Sequence, residues 1–216
     1  MQHSFCKEFD YESHMALTTS DEGKRIEGML NSPQKTNLHK WLDLYEPQLN
    51  GCFCGLASLS IISQYLAITK ASSQQYIYRN LVDGTIWASK DDMKKGLTLA
   101  KLFNLTKLVY PNFTIGFVPC SQSETAYNTI KQFDFAGSNA LIINFCRNLK
   151  GHHGGHFSPV VGVCMDIKGA VYVCIEDVSL ERAKPHWIRL EYLSKLIATY
   201  DSGAGSYRGI ITISKK

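Results

Sequence analysis

Apolar residues recur at helical spacing through most of the first two-thirds of the chain. The clearest case is residues 55–67, where Leu56, Leu59 and Leu66 repeat on one face and the polar positions are small serines. This composition predicts a helix that is buried on most of its sides. Three shorter segments have a similar periodicity and also predict helices: residues 73–82, 97–105 and 123–132.

The pattern changes after Gly137, where β-branched residues dominate short runs that are bounded by Gly, Asp and Asn. These runs predict strands at residues 140–146, 159–165, 170–175 and 209–213. A turn sequence at 166–169 lies between the second and third runs and predicts a hairpin. Because helices precede strands instead of alternating with them, we expect an α+β fold, with a helical N-terminal lobe packed on a C-terminal antiparallel β-sheet lobe.

The length and composition favour one folded domain over residues 1–216. Of the 216 residues, 44% are hydrophobic and 19% are charged, which is enough apolar material for a core. Residues 1–40 are polar and rich in turn formers. We expect them to form a surface arm that the core holds only in part.

Charge and hydropathy argue against two classes of partner. Lys and Arg number 23 and Asp and Glu 19, a formal charge of +4 that is scattered along the chain, so no nucleic-acid partner is expected. No run of about 18 apolar residues occurs, so no membrane span is predicted. The N-terminus lacks a basic start followed by an apolar stretch, which favours a cytoplasmic protein; export by a bacterium is the alternative.

The seven cysteines are expected to be reduced thiols. An odd number in a chain of this length does not indicate a disulfide framework. Cys146, Cys164 and Cys174 lie within apolar strand-like runs, where a thiol serves as a small hydrophobic side chain. Reduced cysteines agree with a cytosol-like compartment.

Cys54 is the candidate nucleophile because it stands immediately before the strongest helical pattern. The unpaired N–H groups and the dipole of a helix N-terminus favour a thiolate. Gly55 allows close approach of a substrate, and Gln48, six residues upstream, is a candidate donor to an oxyanion. The alternative is that Cys54 is a core thiol and Gln48 a surface amide. Cys52 competes for the role but lies further from the helix start.

His156 is the candidate general base. It follows two glycines and precedes an apolar strand, so a base on the sheet would face a nucleophile on a helix, as in thiol hydrolases. The alternative is a metal site made from His152, His153 and His156. The segment has no nearby acidic or Cys ligands at a familiar spacing, which disfavours the metal site.

Asp177 is the candidate carboxylate that orients the base, since it falls at the end of the strand predicted over 170–175. The predicted hairpin places this strand beside the one that follows His156, within reach of the imidazole. Glu176 points to the opposite face by strand alternation and is the second choice. The chain order Cys, His, Asp, with Gln48 ahead of the Cys, is that of papain-like enzymes.

Four segments in chain order together resemble the phytochelatin synthase family. They are the nucleophile segment at 53–59 with Gln48 ahead of it, the His segment at 155–159, the Asp segment at 176–178 leading into 184–187, and a closing segment at 200–213. Each motif alone is weak, but four in register from about Gln48 to Ser214 are a specific match. The resemblance implies a papain-like two-lobed fold that cleaves the Cys–Gly amide of glutathione.

The resemblance also implies catalytic roles for the matching residues. Cys54 forms a γ-glutamylcysteinyl thioester and releases glycine, and a second glutathione, a phytochelatin chain or water then takes the acyl group. In this scheme His156 is the general base and acid, Asp177 orients it, and Gln48 donates to the oxyanion. The chain is accordingly expected to be an acyltransferase of the glutathione γ-glutamylcysteinyltransferase type.

Asp201 and Arg208, together with Gly155, match the substrate-binding residues of the family and imply a γ-glutamyl pocket. Asp201 can pair with the free α-ammonium, and Arg208 can hold the α-carboxylate with two parallel hydrogen bonds. The alternative is a surface ion pair between a loop and a strand. Arg147 lies nine residues before His156, where the family usually has ten, so no role is assigned to it.

The sequence departs from the family at its end and beside the Asp segment. The long Cys-rich C-terminal region of plant and fungal members does not follow here, where the chain ends at Lys216, so the sequence resembles the short bacterial members, which lean toward hydrolysis. Leu180 stands where the family has Arg, and Pro185 after Lys184 replaces two prolines. These positions lie on the acceptor side of the family's site, so Arg182 is the candidate to hold an acceptor's carboxylates.

The expected partners are glutathione, γ-glutamyl peptides and heavy-metal ions, and a second copy in a homodimer is also considered. The resemblance implies that Cd²⁺ or Zn²⁺ promotes synthesis because metal–glutathione thiolates serve as the acceptor. No cofactor is required for glycine release, and no structural metal is predicted. Binding of a soft ion by Cys52 and Cys54 would inhibit by consuming the nucleophile.

Two other functions stay open. A papain-like cysteine peptidase or deamidase acting on protein substrates would use the same Cys, His and Asp but would depend little on Asp201. A non-catalytic thiol and metal-binding module would need no activated cysteine. Selective alkylation of one thiol is the observation that separates an enzyme from such a module.

Overall fold

The computed structural model describes residues 8–82, 95–135, 137–149, 152–179 and 184–216. Within these residues, helices pack on a long antiparallel sheet, and the expected α+β class is confirmed in a form consistent with a papain-like fold. The α-helices are α1 (Asp21–Glu27), α2 (Ser32–Leu42), α3 (Cys54–Tyr65), α4 (Gln74–Ile77), α5 (Leu99–Val109), α6 (Ser123–Gln132) and α7 (Leu190–Ile197). A π-helical stretch at Tyr78–Val82 continues α4, and 3-10 turns lie at Glu12–His14 and Thr69–Ala71.

In the described part of the chain, the main sheet has seven strands: β1 (Ala16–Leu17), β2 (Phe113–Pro119), β3 (Ala140–Leu149), β4 (His152–Met165), β5 (Val171–Ile175), β6 (His186–Arg189) and β9 (Gly209–Lys215). Their order in the sheet is β1-β6-β5-β4-β3-β9-β2, and all neighbours are antiparallel. A separate two-stranded ribbon pairs β7 (Tyr200–Asp201) with β8 (Ser206–Tyr207). The four strands predicted from the sequence are β3, β4, β5 and β9, which lie side by side in the sheet.

Helix α3 is the centre of the helical side of the core. Its residues 54–63 are all buried, which confirms the helix predicted from small serines and periodic leucines. The serines can be buried because their hydroxyls find partners inside the protein. Ser58 Oγ donates to the Cys54 carbonyl oxygen at 2.8 Å, and Ser63 Oγ lies 3.0 Å from the Tyr110 hydroxyl.

The other predicted helices are present with small changes in their limits. Helix α6 has the predicted bounds. Helix α5 begins at Leu99 because the Thr98 hydroxyl caps it, accepting from the Lys101 N–H at 3.3 Å, and it continues to Val109. The helix predicted over 73–82 is divided into α4 and the π-helical stretch.

The predicted hairpin between β4 and β5 is confirmed. One carboxylate oxygen of Asp166 accepts from the N–H groups of Lys168 at 2.9 Å and Ala170 at 2.8 Å. Gly169 has φ +85°, a left-handed conformation that favours glycine. This turn sets the register from Met165 opposite Val171 to Gly162 opposite Cys174, and a bulge between Gly162 and Val160 then brings Val160 opposite Ile175.

Strand β4 begins seven residues earlier than the predicted start at 159, since it runs from His152. Its first half includes two glycines and three histidines, a composition typical of a loop. The backbone nevertheless pairs with β3, with Gly154 opposite Arg147 and His156 opposite Phe145. Pairing with a buried neighbour therefore outweighs the weak strand propensity of this segment. His156 consequently lies within the sheet rather than in a loop before it.

Strands β2 and β6 and helix α7 were not predicted. Strand β2 lies inside the helical part of the sequence and pairs with β9 along the sheet edge. Strand β6 has four residues and carries His186 opposite Ile175. Short segments of this kind give a weak periodic signal, and their pairing partners are distant in the sequence.

Residues 1–40 were expected to form a surface arm that the core holds only in part, and the described residues 8–40 contribute some of their side chains to the core. Tyr11, Ile26 and Leu38 are each at most 2% exposed, as is Trp41, which follows this segment in α2. The Trp41 ring stacks on Tyr65 of α3, with centroids 3.8 Å apart. Helices α1 and α2 each bury one apolar stripe, and a stripe of two or three residues in a polar segment is easily overlooked.

The cysteines also differ from expectation at one position. Cys52, Cys54, Cys120, Cys164 and Cys174 are free thiols. Cys146, on β3, is disulfide-bonded, so the prediction of reduced thiols throughout is wrong there. None of the helices in the described part of the chain combines the length and the apolar character needed to span a membrane.

Replacement of Trp41 by alanine tests whether helix α2 packs into the core. We expect Trp41→Ala to lower the free energy of unfolding by about 3–5 kcal/mol, because it leaves a cavity against Tyr65. Urea denaturation monitored by circular dichroism measures the change. Met165→Ala, at a side chain that is 59% exposed, is the control and should cost far less. Equal small losses in both variants would contradict the packing of α2 on α3.

Candidate active site

Cys54 is the first residue of α3 and is 8% exposed. The backbone N–H groups of Gly55, in the same helix turn, and of Phe157, on β4, lie near enough to its sulfur to lower the pKa of the thiol. Helix α3 therefore presents its N-terminus to the strand that carries His156. The first N–H groups of a helix have no partner inside the helix, so they are available to a sulfur anion or to an oxyanion.

His156 is held by Asp177. Its Nε2 atom lies 3.0 Å from Asp177 Oδ1, and the ring packs edge-to-face on Phe145, with centroids 5.8 Å apart. Because Asp177 occupies Nε2, the nitrogen that remains for proton transfer is Nδ1. The N–H of Phe157, the next residue, lies near enough to the Cys54 sulfur to lower the pKa of that thiol, so β4 brings the residue after the base close to the nucleophile.

Asp177 is completely buried and its carboxylate is fully hydrogen-bonded. Besides His156, its Oδ1 accepts from the Ser179 N–H at 2.9 Å and the Ser179 hydroxyl at 2.7 Å. Arg147 donates to the other oxygen, Oδ2. Burial alone would raise the pKa of the Asp177 carboxyl, but His156 and Arg147 outweigh burial and hold that pKa well below its usual value. Asp177 is therefore a carboxylate at any physiological pH.

Arg147 is a member of this site to which the sequence assigned no role. Its guanidinium is buried and bonds both Asp177 and the Ser179 hydroxyl. It reaches them because it lies two residues after Phe145, on the same face of β3, and Phe145 is paired with His156. The signal available in the sequence was an arginine that interrupts an otherwise apolar strand. Such a residue is rarely buried without an acidic partner.

Burial changes the expected charge state of the nucleophile. It raises the pKa of the Cys54 thiol above its usual value, and the N–H groups of Phe157 and Gly55 and the charge of Arg147 offset this only in part. Burial and Arg147 also lower the pKa of His156 below its usual value, against the opposing effect of Asp177. Both directions favour a neutral thiol and a neutral imidazole at rest. The helix N-terminus, which we expected to produce a thiolate, is outweighed by desolvation.

Gln48 lies close to this site and is 6% exposed, so it is not a surface amide. Its backbone N–H donates to the carbonyl oxygen of Val178, the residue after Asp177, at 2.8 Å. Its side-chain Nε2 donates to the Asn50 carbonyl oxygen at 2.7 Å. A primary amide has two N–H donors, so one remains after this bond.

Arg208, Asp201 and Gly155 form a second cluster that adjoins the first. Arg208 Nη2 lies 3.1 Å from Asp201 Oδ2, and Arg208 is only 6% exposed, so this is not a surface ion pair. Arg208 Nη1 donates to Thr199 Oγ1 and to the Tyr200 carbonyl oxygen, each at 3.1 Å. A Cβ atom on Gly155 would lie 3.3 Å from the guanidinium, so a side chain there would crowd it. The buried Arg208 Nε has no hydrogen-bond partner among the described residues.

Glu176 faces away from His156, as strand alternation predicted. It is completely buried, and neither carboxylate oxygen has a hydrogen-bond partner in the described part of the chain. Burial raises the pKa of Glu176 well above its usual value, so the carboxyl group is kept neutral. Two adjacent residues at one strand end therefore hold opposite protonation states.

Several predicted site residues fall elsewhere. Leu180 and Arg182 lie outside the described residues, as do the side chains of His152 and His153. Cys52 is partly buried, and its backbone N–H donates to Asn50 Oδ1 at 2.9 Å. Among the residues that the structure describes, no group of three or more His, Cys, Asp and Glu side chains is arranged to hold a metal ion.

Comparison with known proteins agrees with the geometry. A family model described as phytochelatin synthase matches residues 8–210. Glutathione gamma-glutamylcysteinyltransferase 3 of Lotus japonicus is 26% identical over 214 residues, covering 91% of this chain and 41% of that protein. Glutathione gamma-glutamylcysteinyltransferase 1 of Arabidopsis thaliana is 23% identical over 215 residues, covering 91% of this chain and 41% of that protein. The chain thus spans about two-fifths of the length of these curated relatives.

The unpaired carboxyl group of Glu176 should be a cost to stability. We expect Glu176→Leu to raise the free energy of unfolding by about 1–3 kcal/mol at pH 7, because it removes a buried group without partners. Wild-type stability should fall as the pH rises above 4.5, where the unfolded chain releases a proton that the folded protein keeps. The advantage of the variant should therefore grow from pH 5 to pH 8, as measured by urea unfolding.

The control for this measurement is Glu12→Leu, at an exposed carboxylate. It should change stability little and should add no such pH dependence. A Glu176→Leu protein that is less stable than wild type at every pH would show that the carboxyl group has a stabilising partner.

Proposed function

Because the chain belongs to the phytochelatin synthase family, we propose that it cleaves the Cys–Gly amide of glutathione and passes the γ-glutamylcysteinyl group to an acceptor or to water. The observation that carries this proposal is the adjacency of two clusters on β4. His156 is bonded to the buried Asp177 carboxylate, and the next residue, Phe157, has its N–H near the Cys54 sulfur. The preceding residue, Gly155, lies against Asp201 and Arg208. The base and a residue of the recognition cluster are thus neighbours in the chain.

The γ-glutamyl end of glutathione is a free amino acid, with one ammonium and one carboxylate on the same carbon. The Asp201 carboxylate accepts from the ammonium, and the Arg208 guanidinium, whose Nε has no described partner, donates to the carboxylate. Gly155 lets the strand that carries His156 lie directly against this ion pair, because a Cβ atom there would lie 3.3 Å from the guanidinium. An ordinary peptide has no such zwitterion within reach of the cut bond, so the cluster favours γ-glutamyl substrates over proteins.

Acylation begins when the Cys54 sulfur attacks the carbonyl carbon of the Cys–Gly amide. The thiol proton moves to His156 Nδ1, and the buried Asp177 carboxylate stabilises the imidazolium through Nε2. The oxyanion accepts from the Cys54 backbone N–H and from the free N–H of the Gln48 amide. As the C–N bond breaks, His156 returns the proton to the leaving amine of glycine, and a thioester remains on Cys54.

Deacylation uses the same base in the reverse direction. Water or the amine of an acceptor attacks the thioester carbonyl and gives a proton to His156 Nδ1, and His156 passes that proton to the Cys54 sulfur as the C–S bond breaks. For chain extension the attacking group is the α-amine of a second glutathione, whose thiol is carried as a metal thiolate with Cd²⁺ or Zn²⁺. The metal in this scheme is part of the acceptor substrate. Arg182, the candidate contact for the acceptor, lies outside the described residues.

Removal of the nucleophile is the first test. We expect Cys54→Ala to lower glycine release from glutathione by at least about 1,000-fold, since no thioester can form. Cys52→Ala is the matched control and should leave most of the activity. Amino-acid analysis of released glycine measures both. If Cys52→Ala is inactive and Cys54→Ala is active, the nucleophile assignment is wrong.

Removal of one charge from the recognition cluster tests the substrate class. We expect Asp201→Asn to lower kcat/KM for glutathione about 10- to 100-fold, the effect of losing one charge-assisted hydrogen bond. Asparagine keeps an acceptor for the Gly203 N–H, which Asp201 binds at 3.1 Å, so the turn should persist. Asp43→Asn, at an exposed carboxylate, is the control. An unchanged kcat/KM, together with cleavage of ordinary peptides, would favour a protein-directed peptidase or deamidase.

A further inference from the structure

The segment that carries Gln48 is fixed by a buried side chain from another element. Gln74, the first residue of α4, is completely buried. Its Nε2 donates to the Pro47 carbonyl oxygen at 2.9 Å, and its Oε1 accepts from the Leu49 N–H at 2.9 Å. Gln74 therefore hydrogen-bonds to the backbone on both sides of Gln48. These two bonds fix the orientation of the Gln48 backbone and so the direction in which its side chain points.

Glu46 connects the same segment to the nucleophile helix. Its Oε1 accepts from Gln74 Nε2 at 2.7 Å. Its Oε2 accepts from Ser60 Oγ at 3.0 Å and from Gln64 Nε2 at 3.4 Å, both on α3. One carboxylate thus joins α4, the segment 46–49 and the helix whose N-terminus is Cys54. A hydrogen bond to a charged acceptor is about twice as strong as one between neutral groups.

We propose that Glu46 and Gln74 are positioning residues that hold the Gln48 amide at a fixed place relative to Cys54, so that it meets the oxyanion. The inference deepens the proposed function and rests on it, because it assumes that Gln48 donates to an oxyanion formed on Cys54. Neither residue touches the reacting atoms. Each acts through the backbone of the segment 46–49.

Loss of Gln74 should affect the position of the Gln48 amide more than the stability of the fold. The Gln48 N–H donates to the Val178 carbonyl oxygen at 2.8 Å, and Glu46 is bonded to Ser60 and Gln64 of α3. These bonds remain without Gln74, so the fold persists, but the backbone on both sides of Gln48 loses its side-chain partner and can shift relative to Cys54. A donor displaced from the oxyanion loses most of its effect, and loss of such a donor lowers kcat by about 100- to 1,000-fold. Formation of the Cys54 nucleophile needs His156 and Asp177 but not this segment.

The test compares two reactions of Cys54 in the same variants. Release of glycine from glutathione passes through an oxyanion, whereas alkylation by iodoacetamide is a displacement at carbon that forms none. We expect Gln74→Met to lower kcat for glycine release about 10- to 100-fold, with little change in KM, because substrate recognition lies at Asp201 and Arg208. The rate of Cys54 alkylation should stay at the wild-type value. Gln75→Met, at the exposed neighbouring position, is the control and should change neither rate.

A double variant tests whether a loss of kcat comes from the lost hydrogen bond or from a general loss of stability. Glu46→Gln should lower kcat in the same way as Gln74→Met. Combining Glu46→Gln with Gln74→Glu restores an amide-to-carboxylate bond in the reverse direction and keeps an acceptor for the Leu49 N–H. Only the bond to the Pro47 carbonyl is lost, so kcat should recover in part. A fall in alkylation parallel to kcat, or a kcat for Gln74→Met within about twofold of wild type, would overturn the proposal.

A second substrate separates failure of this inference from failure of the proposed function. p-Nitrophenyl acetate acylates a cysteine through an oxyanion without any γ-glutamyl recognition, and the Cys54→Ala protein supplies the background rate. If the wild-type protein releases no glycine from glutathione, the proposed function fails. The ratio of the p-nitrophenol burst rate to the alkylation rate, in wild type and in Gln74→Met, then still decides whether Gln74 positions an oxyanion donor.

Discussion

The buried carboxylate of Asp177 is the group on which the rest of the site depends. A charge without access to water persists only when several donors compensate it, and here a histidine, an arginine and both donors of Ser179 do so. These contacts fix the imidazole of His156 and leave one nitrogen of its ring for catalysis. They also join the end of β5 to the middle of β3 and β4. Loss of any one donor would leave a charge that the core cannot solvate.

The site lies where the helical and sheet parts of the fold meet. The N-terminus of helix α3 faces the strand that carries the base. The Phe157 N–H of that strand lies near the Cys54 sulfur and lowers the pKa of the thiol. The neighbouring Glu176 shows how strongly the environment decides a residue's chemistry. It is adjacent to Asp177 in the chain but lacks partners, so burial keeps it neutral instead of charged. The side chains of these two adjacent residues point to opposite sides of the chain, which is why one carboxyl group is charged and the other is neutral.

Much of the central sheet and the nucleophile helix could be predicted because their signals are local. Periodic leucines with small serines indicate a buried helix, and β-branched runs indicate strands. The failures have a different origin. The first half of β4 reads as a loop because glycine and histidine have weak strand propensity, yet pairing with β3 makes it a strand. The buried residues of the N-terminal segment were missed because a narrow apolar stripe contacts a helix that lies far along the chain.

The kinds of chemical group available and their order can be read along the chain: a cysteine at a helix start, a histidine before an apolar strand and an acid at a strand end. Their protonation states follow from the folded arrangement. Burial of Cys54 raises the pKa of its thiol more than the helix N-terminus lowers it. Arg147, on another strand, lies against the Asp177 carboxylate. Desolvation and Coulomb energies depend on distances between residues that are remote in the chain, and those distances exist only after folding.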